Sequence, residues 1–154
     1  KSLIGKLLSK ELNFEFIDID SKIEQIEKKT ISDIFKTKGE EYFRDVEEDI
    51  SIKSLKLQNK IISLGGGGYI NSNIRKNTLN KCISVWLNWK DKTLINRIKN
   101  SKKRPLAIGL NIFKLKKLIE ERSKIYNSSD YKINCDRLEK KQIVKKIIKL
   151  YENS

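Results

Sequence analysis

The 154 residues predict a single α/β domain, residues 1–154, built as a doubly wound parallel sheet. Three observations carry this. Short apolar strands alternate with helical segments of 10–20 residues, the pattern of βαβ units. Neither an internal repeat nor a low-complexity linker divides the chain. Two chemistry-bearing segments, Asp18-Ile19-Asp20 and Gly65–Gly68, each follow a strand directly. In folds of this kind ligands collect at the carboxyl ends of strands, so both segments should face one crevice.

The elements follow in order. Leu3, Ile4, Leu7, Leu8 and Leu12 recur at helical spacing and predict a helix over 2–12. Residues 14–17 read as a strand. Ser21 is the expected cap of a helix whose apolar positions are Ile23 and Ile26. Thr30 is expected to cap another helix through Phe35, closed by Gly39, before a long helix from about Glu40 to Leu57. A strand over 60–64 is broken at once by four glycines. A short helix near 73–79, a strand over 82–87 and a helix over 91–99 come next. A polar stretch, 100–111, contains the single Pro. Helix 112–126, a strand over 131–135 and a helix from about Glu139 complete the series.

Composition narrows the function. The formal charge is +14, yet 28 of the 34 cations are Lys, spread along the whole chain. A nucleic-acid footprint is usually clustered on one face, so this excess reads as compositional bias. Against that background each Arg marks a place where a planar, two-pronged donor is wanted. With no His, His-based triads and His-ligated metals are excluded. Cys82 and Cys135 are too few for a disulfide framework and suit a reducing compartment. No apolar run approaches the roughly 18 residues of a membrane span. Met is absent even at position 1, and the expectation is that the chain begins inside a longer protein.

Four glycines after an apolar strand remove every side chain from a turn, so that backbone N–H groups can approach an oxyanion. Asp18 and Asp20 flank Ile19 and, on an extended backbone, point the same way. Such a pair can divide roles between the water shell of a metal ion and a substrate hydroxyl. Lys1-Ser2 at a helix start matches the end of the phosphate-binding pattern Gly-x-x-x-x-Gly-Lys-[Ser/Thr], whose glycines would lie before residue 1. Taken singly, Arg44 suggests an exposed pair with Glu41 or Glu47, and Arg104 and Arg122 suggest solvated surface.

In order along the chain, these pieces resemble the shikimate kinase family. The resemblance rests on Lys1-Ser2, Asp18-Ile19-Asp20 with Ile23-Glu24, and Ile31 through Phe35 followed by Gly39-Glu40 and Phe43-Arg44 with Glu47. It continues through Leu64-Gly65-Gly66-Gly67, Arg104-Pro105-Leu106, and Arg122 with Tyr126. Ala107 stands where the family usually has Leu, Ser123-Lys124-Ile125 where it has a Pro, and Gly68 where Ala or Ser is usual.

The resemblance implies a P-loop fold of the nucleoside-monophosphate-kinase type, with a substrate-binding segment at about 20–48 and a lid at about 100–112. The first strand and the loop glycines would be missing from these residues. It implies ATP-dependent phosphorylation of the 3-hydroxyl of shikimate, in aromatic amino-acid synthesis, with Mg²⁺ as cofactor. Lys1 would meet the phosphates, while Ser2 and Asp18 would serve the metal. Asp20 would take the attacking hydroxyl, and Arg104 would neutralise charge on the transferred group. Arg44, Arg122 and Gly65, Gly66 and Gly67 would hold shikimate. Arg97 and Arg137 would lie by the adenine. Trp86 and Trp89 are expected to be core or surface residues. The expected partners are small molecules rather than nucleic acid or membrane, for a cytoplasmic monomer. The alternatives are another small-molecule kinase, such as a gluconate kinase, or a basic nucleic-acid-binding domain. Because the missing strand is central in the family, residues 1–154 alone are expected to be unstable and inactive.

Overall fold

Helix and strand alternate from the first residue onward, and each start has a local cause. The structure, a computed structural model, describes residues 1–99 and 110–154. Helix α1 (Ser2–Leu12) ends at Asn13, whose φ of 55° takes the left-handed turn that Asn tolerates. Strand β1 (Glu15–Asp18) runs straight into α2 (Ile19–Glu27). The cap of α2 is Asp18 rather than Ser21, because the Asp18 carboxylate accepts from the Ser21 N–H at 3.4 Å. Thr30 caps α3 (Ile31–Leu55) as expected, accepting from Asp33 N. The expected break at Gly39 also lies within that span, as a kink with φ 84° and ψ 176°. Residues with a Cβ rarely reach that region, so glycine sets the bend between the two arms of α3.

Strand β2 (Lys60–Ser63) leads into the glycine turn and a single 3₁₀ turn, Gly68–Ile70. Then come α4 (Ser72–Lys81), β3 (Val85–Asn88), α5 (Asp91–Lys99), α6 (Ile112–Tyr126), β4 (Tyr131–Asn134) and α7 (Lys140–Glu152). β3 is shorter than expected, since Cys82 still closes α4, its N–H reaching Thr78 O. A reciprocal pair of bonds between Glu139 and Gln142 starts α7.

The four described strands form two parallel pairs rather than one continuous sheet, with a gap where the resemblance puts a missing central strand. β1 pairs with β2 in parallel, and β3 pairs with β4 in parallel, but the two pairs are separate sheets among the described residues. Side-chain packing joins what the strands do not. On β2, Ile61 faces a core of Ile4, Leu8, Ile133, Ile143, Val144 and Ile147, which α1, β4 and α7 supply. Its neighbour Ile62 turns to the opposite face and packs on Ile17, Ile19, Ile23, Ile34, Phe43 and Ile50. Ile19, Ile23 and Ile34 are fully buried, each burial stabilising by about 1.5–3 kcal/mol. A third cluster, Ile95, Ile98, Leu115 and Ile119, seats α5 on α6. This packing fixes the carboxyl ends of β1 and β2 beside the N-terminus of α1.

Candidate active site

At the start of α1, Ser2 Oγ donates to Asp18 Oδ2 at 2.5 Å. Asp18 therefore caps α2 with one oxygen and takes the Ser2 hydroxyl with the other. Asp20 lies in the first turn of α2, not on extended backbone as the sequence suggested. It still reaches the crevice, because the helix begins right at the strand end. Lys1 Nζ stands 3.8 Å from Asp20 Oδ2 and donates to Ser63 Oγ, at the end of β2, at 3.4 Å. A lysine, a hydroxyl and two carboxylates thus meet at a helix N-terminus, where the helix dipole adds positive potential.

The second group sits across the glycine turn. Arg44 Nη1 holds Glu47 Oε2 at 2.6 Å, and its Nε and Nη2 reach Glu40 Oε1 at 3.3 Å. Its partners within α3 are Glu47 and Glu40 rather than Glu41, and Glu47 is no surface residue, with 2% exposure. Burial pushes its carboxyl above the ordinary value of 4.5. The nearby Asp20 charge pushes the same way, while Arg44 and Arg122 pull it back without cancelling the rise. Among the described residues Arg122 makes no ion pair, so its donors remain open to an anion.

The turn has no room for side chains at two places. A Cβ on Gly65 would lie 2.5 Å from Glu47 Oε1 and 2.7 Å from Asp20 Oδ1. One on Gly67 would lie 2.6 Å from Arg44 Nη1, whereas one on Gly66 would meet only Arg122 Nη1, at 3.6 Å. The turn therefore packs directly against the charged groups. Lys1, Ser2, Asp18, Asp20, Arg44, Gly65, Gly66, Gly67 and Arg122 all gather here.

The other candidates lie elsewhere. Arg97, on α5, stacks its guanidinium 3.8 Å over the Trp89 ring. Arg137 is exposed in the loop after β4. Its neighbour Asp136 joins that loop to the one after β3, accepting from Lys90 N at 2.6 Å and Thr93 Oγ1 at 2.8 Å. Arg104 and nearly all of the expected lid fall outside the described residues. Cys82 and Cys135 are free thiols, and burial pushes Cys135 up to about 11, which leaves it inert.

Two residues quoted from the sequence only as motif members, Glu47 and Tyr126, have roles that the sequence did not predict. Glu47 falls in the stripe Phe43, Glu47, Ile50, at the i, i+4, i+7 spacing of an inward helix face. That spacing is the signal that could have found it. Tyr126 closes α6 and donates its hydroxyl to Gly66 O.

The fold and crevice are those of an α/β protein with a lysine at a helix N-terminus beside its strand ends and two guanidinium groups against a glycine turn. The sequence profile of the shikimate kinase family matches residues 1–152. The shikimate kinase of Persephonella marina is 41% identical over 149 residues, covering 96% of this chain and 90% of that protein. The crystal structure of shikimate kinase from Aquifex aeolicus superposes with a TM-score of 0.88 at 34% identity, covering 99% of this chain and 89% of that one. The Acinetobacter baumannii shikimate kinase, solved in complex with shikimate, gives 0.91 at 26% identity, covering 98% and 86%. The chain belongs to the shikimate kinase family. No helix among the described residues is long and apolar enough to cross a membrane.

Proposed function

We propose that this chain phosphorylates the 3-hydroxyl of shikimate with ATP, giving shikimate 3-phosphate and ADP. The observation that carries the reading is the pairing of two sites across one crevice. Lys1 at the α1 N-terminus faces Asp20, and Asp20 also borders the turn that Arg44 and Arg122 flank. Shikimate brings both a hydroxyl and a carboxylate, and a hydroxy acid suits those two ends.

Phosphoryl transfer needs positioning and charge neutralisation more than covalent help. Arg44 and Arg122 grip the substrate carboxylate, while Glu47 holds the Arg44 fork in place. The glycine turn closes under the ring. Asp20 accepts a hydrogen bond from the attacking hydroxyl and takes its proton as that oxygen bonds the γ-phosphorus and the bond to the β-phosphate breaks. Lys1 stabilises charge on the β- and γ-phosphates. The Ser2 hydroxyl and the Asp18 carboxylate form the hard oxygen pair that Mg²⁺ favours, and no denser acidic cluster occurs among the described residues. Mg²⁺ held there would supply charge neutralisation on the phosphates. Arg97, Arg137 and Arg104 are the proposed contacts for adenine and for the transferred group.

The same reading makes the two sheets halves of one doubly wound P-loop sheet. The first strand and the Gly-x-x-x-x-Gly of that type would run between the pairs into Lys1, and neither is among the 154 residues. It also makes the protein a cytoplasmic monomer whose partners are small molecules. A coupled assay for ADP release, run on the full-length protein rather than on residues 1–154 alone, tests the activity. Release that depends on shikimate and saturates with it is expected, and gluconate should not replace it. Release with gluconate but not shikimate would overturn the substrate.

A further inference from the structure

Gly65 to Gly68 form a β-turn, closed by the Gly68 N–H on Gly65 O at 3.2 Å. Its central peptide joins Gly66 to Gly67. In such turns that peptide has two orientations about half a turn apart, corresponding to types I and II. A side chain at the third position disfavours type II, because the carbonyl then crowds its Cβ. With glycine at both central positions this control is missing, and the two states lie close in energy.

Gly67 has φ −103° and ψ −18°, the type I state. In that state the Gly66 carbonyl points away from the Cβ direction of Gly67, and the Gly67 N–H points towards it. That direction ends on the Arg44 guanidinium, 2.6 Å from Nη1. Among the described residues neither the Gly66 nor the Gly67 N–H has an acceptor. On the other face the Gly66 carbonyl accepts from the Tyr126 hydroxyl. The Tyr126 ring is itself held between two others, with Tyr69 at 6.2 Å and Trp86 at 5.9 Å. A rigid aromatic base thus aims one hydroxyl at the one peptide the glycines leave free to flip.

We propose that Tyr126 is a positioning residue: by holding the Gly66 carbonyl it keeps the Gly67 N–H turned to the Arg44 side, where the substrate anion is received. A flipped peptide would instead present a carbonyl oxygen to that anion, replacing attraction with repulsion. Tyr126 lies one helical turn beyond Arg122 on α6, so one helix sets both an anion donor and the state of the turn. This inference rests on the shikimate-binding reading given above.

The test is Tyr126→Phe in the full-length protein, with steady-state kinetics in each substrate and a thermal melt. Phe keeps the ring between Tyr69 and Trp86, so the melt should stay cooperative and close to wild type. The shikimate KM should rise roughly 5–20-fold, the loss of about one hydrogen bond, with the ATP KM within about twofold. Trp86→Leu is the companion: it loosens the ring stack, keeps the hydroxyl, and should give a clearly smaller selective rise. An unchanged shikimate KM in Tyr126→Phe, an equal rise for both substrates, or the same selective rise in Trp86→Leu would overturn the role of the hydroxyl alone. Absence of shikimate-dependent turnover in the wild-type protein would instead overturn the functional reading and this role with it.

Discussion

Gly67→Ala separates the fold from the site by a single methyl group. Its Cβ would lie 2.6 Å from Arg44 Nη1, 2.9 Å from Nη2 and 3.0 Å from Cζ. Ordinary contact begins near 3.4 Å, so the guanidinium must retreat by about 0.8 Å. The obstacle is the tip of a flexible side chain, and at φ −103° the backbone suits Ala, so the chain can fold around the change. The cost falls on binding. A retreat of that size shifts the guanidinium against its 2.6 Å bond to Glu47 and spoils one arm of a two-pronged grip on carboxylate. One charge-assisted bond contributes about 1.5–3 kcal/mol, so the shikimate KM should rise roughly 10–150-fold. Gly66→Ala is the control, since its Cβ meets only Arg122 Nη1, at 3.6 Å, and its KM should stay within a few-fold of wild type. Steady-state kinetics with saturating ATP, beside thermal melts of all three proteins, reads both quantities. Equal KM changes for the two variants, or a normal KM in Gly67→Ala, would refute the reasoning from contact distance.

Arg44→Lys keeps the charge and loses the fork, so the shikimate KM should climb far more than the ATP KM; parallel changes would put the carboxylate elsewhere. Asp20→Asn should lower kcat by roughly 10²–10⁴-fold while ATP affinity, measured by equilibrium titration, stays nearly intact. Near-normal turnover would remove Asp20 from proton transfer. For Glu47 the folded carboxyl titrates above its unfolded value of 4.5, so the folded state binds the extra proton between the two. Stability relative to Glu47→Gln should therefore increase as pH falls through the folded value towards 4.5, and decrease as pH rises through it. Paired thermal melts across that range check the sign, and a flat or inverted difference would contradict the burial argument.

Much of this architecture was legible in the sequence where the signal is local. The spans of α1, α5 and α6 coincide with expectation, because an amphipathic repeat declares both its face and its length. Gly39 announced its kink, and Thr30 its cap. Asp18 lies on extended backbone as expected but Asp20 is helical, since an Asp-x-Asp after a strand reads as extended until one knows which carboxylate caps the helix. Which strands pair was not legible, because strand pairing is a long-range choice that no window of residues contains; a gap in the sheet was expected only through the family resemblance, which puts a missing strand at its centre. Glu47 was seen as a motif member but not as a buried acid. Only its place in an apolar stripe reveals that, and a lone charge in such a stripe ordinarily reads as an interruption.

The two bonds of Asp18 bear on how any mutational scan of this crevice is interpreted. One oxygen starts α2 and the other receives the Ser2 hydroxyl, so replacement by Ala removes a structural start signal and a polar ligand in the same stroke. The resulting loss of activity would confound misfolding with missing chemistry. Asn is nearly as good a helix cap as Asp but carries no charge. Asp18→Asn therefore holds the first variable constant while changing the second, and among simple replacements it is the informative one.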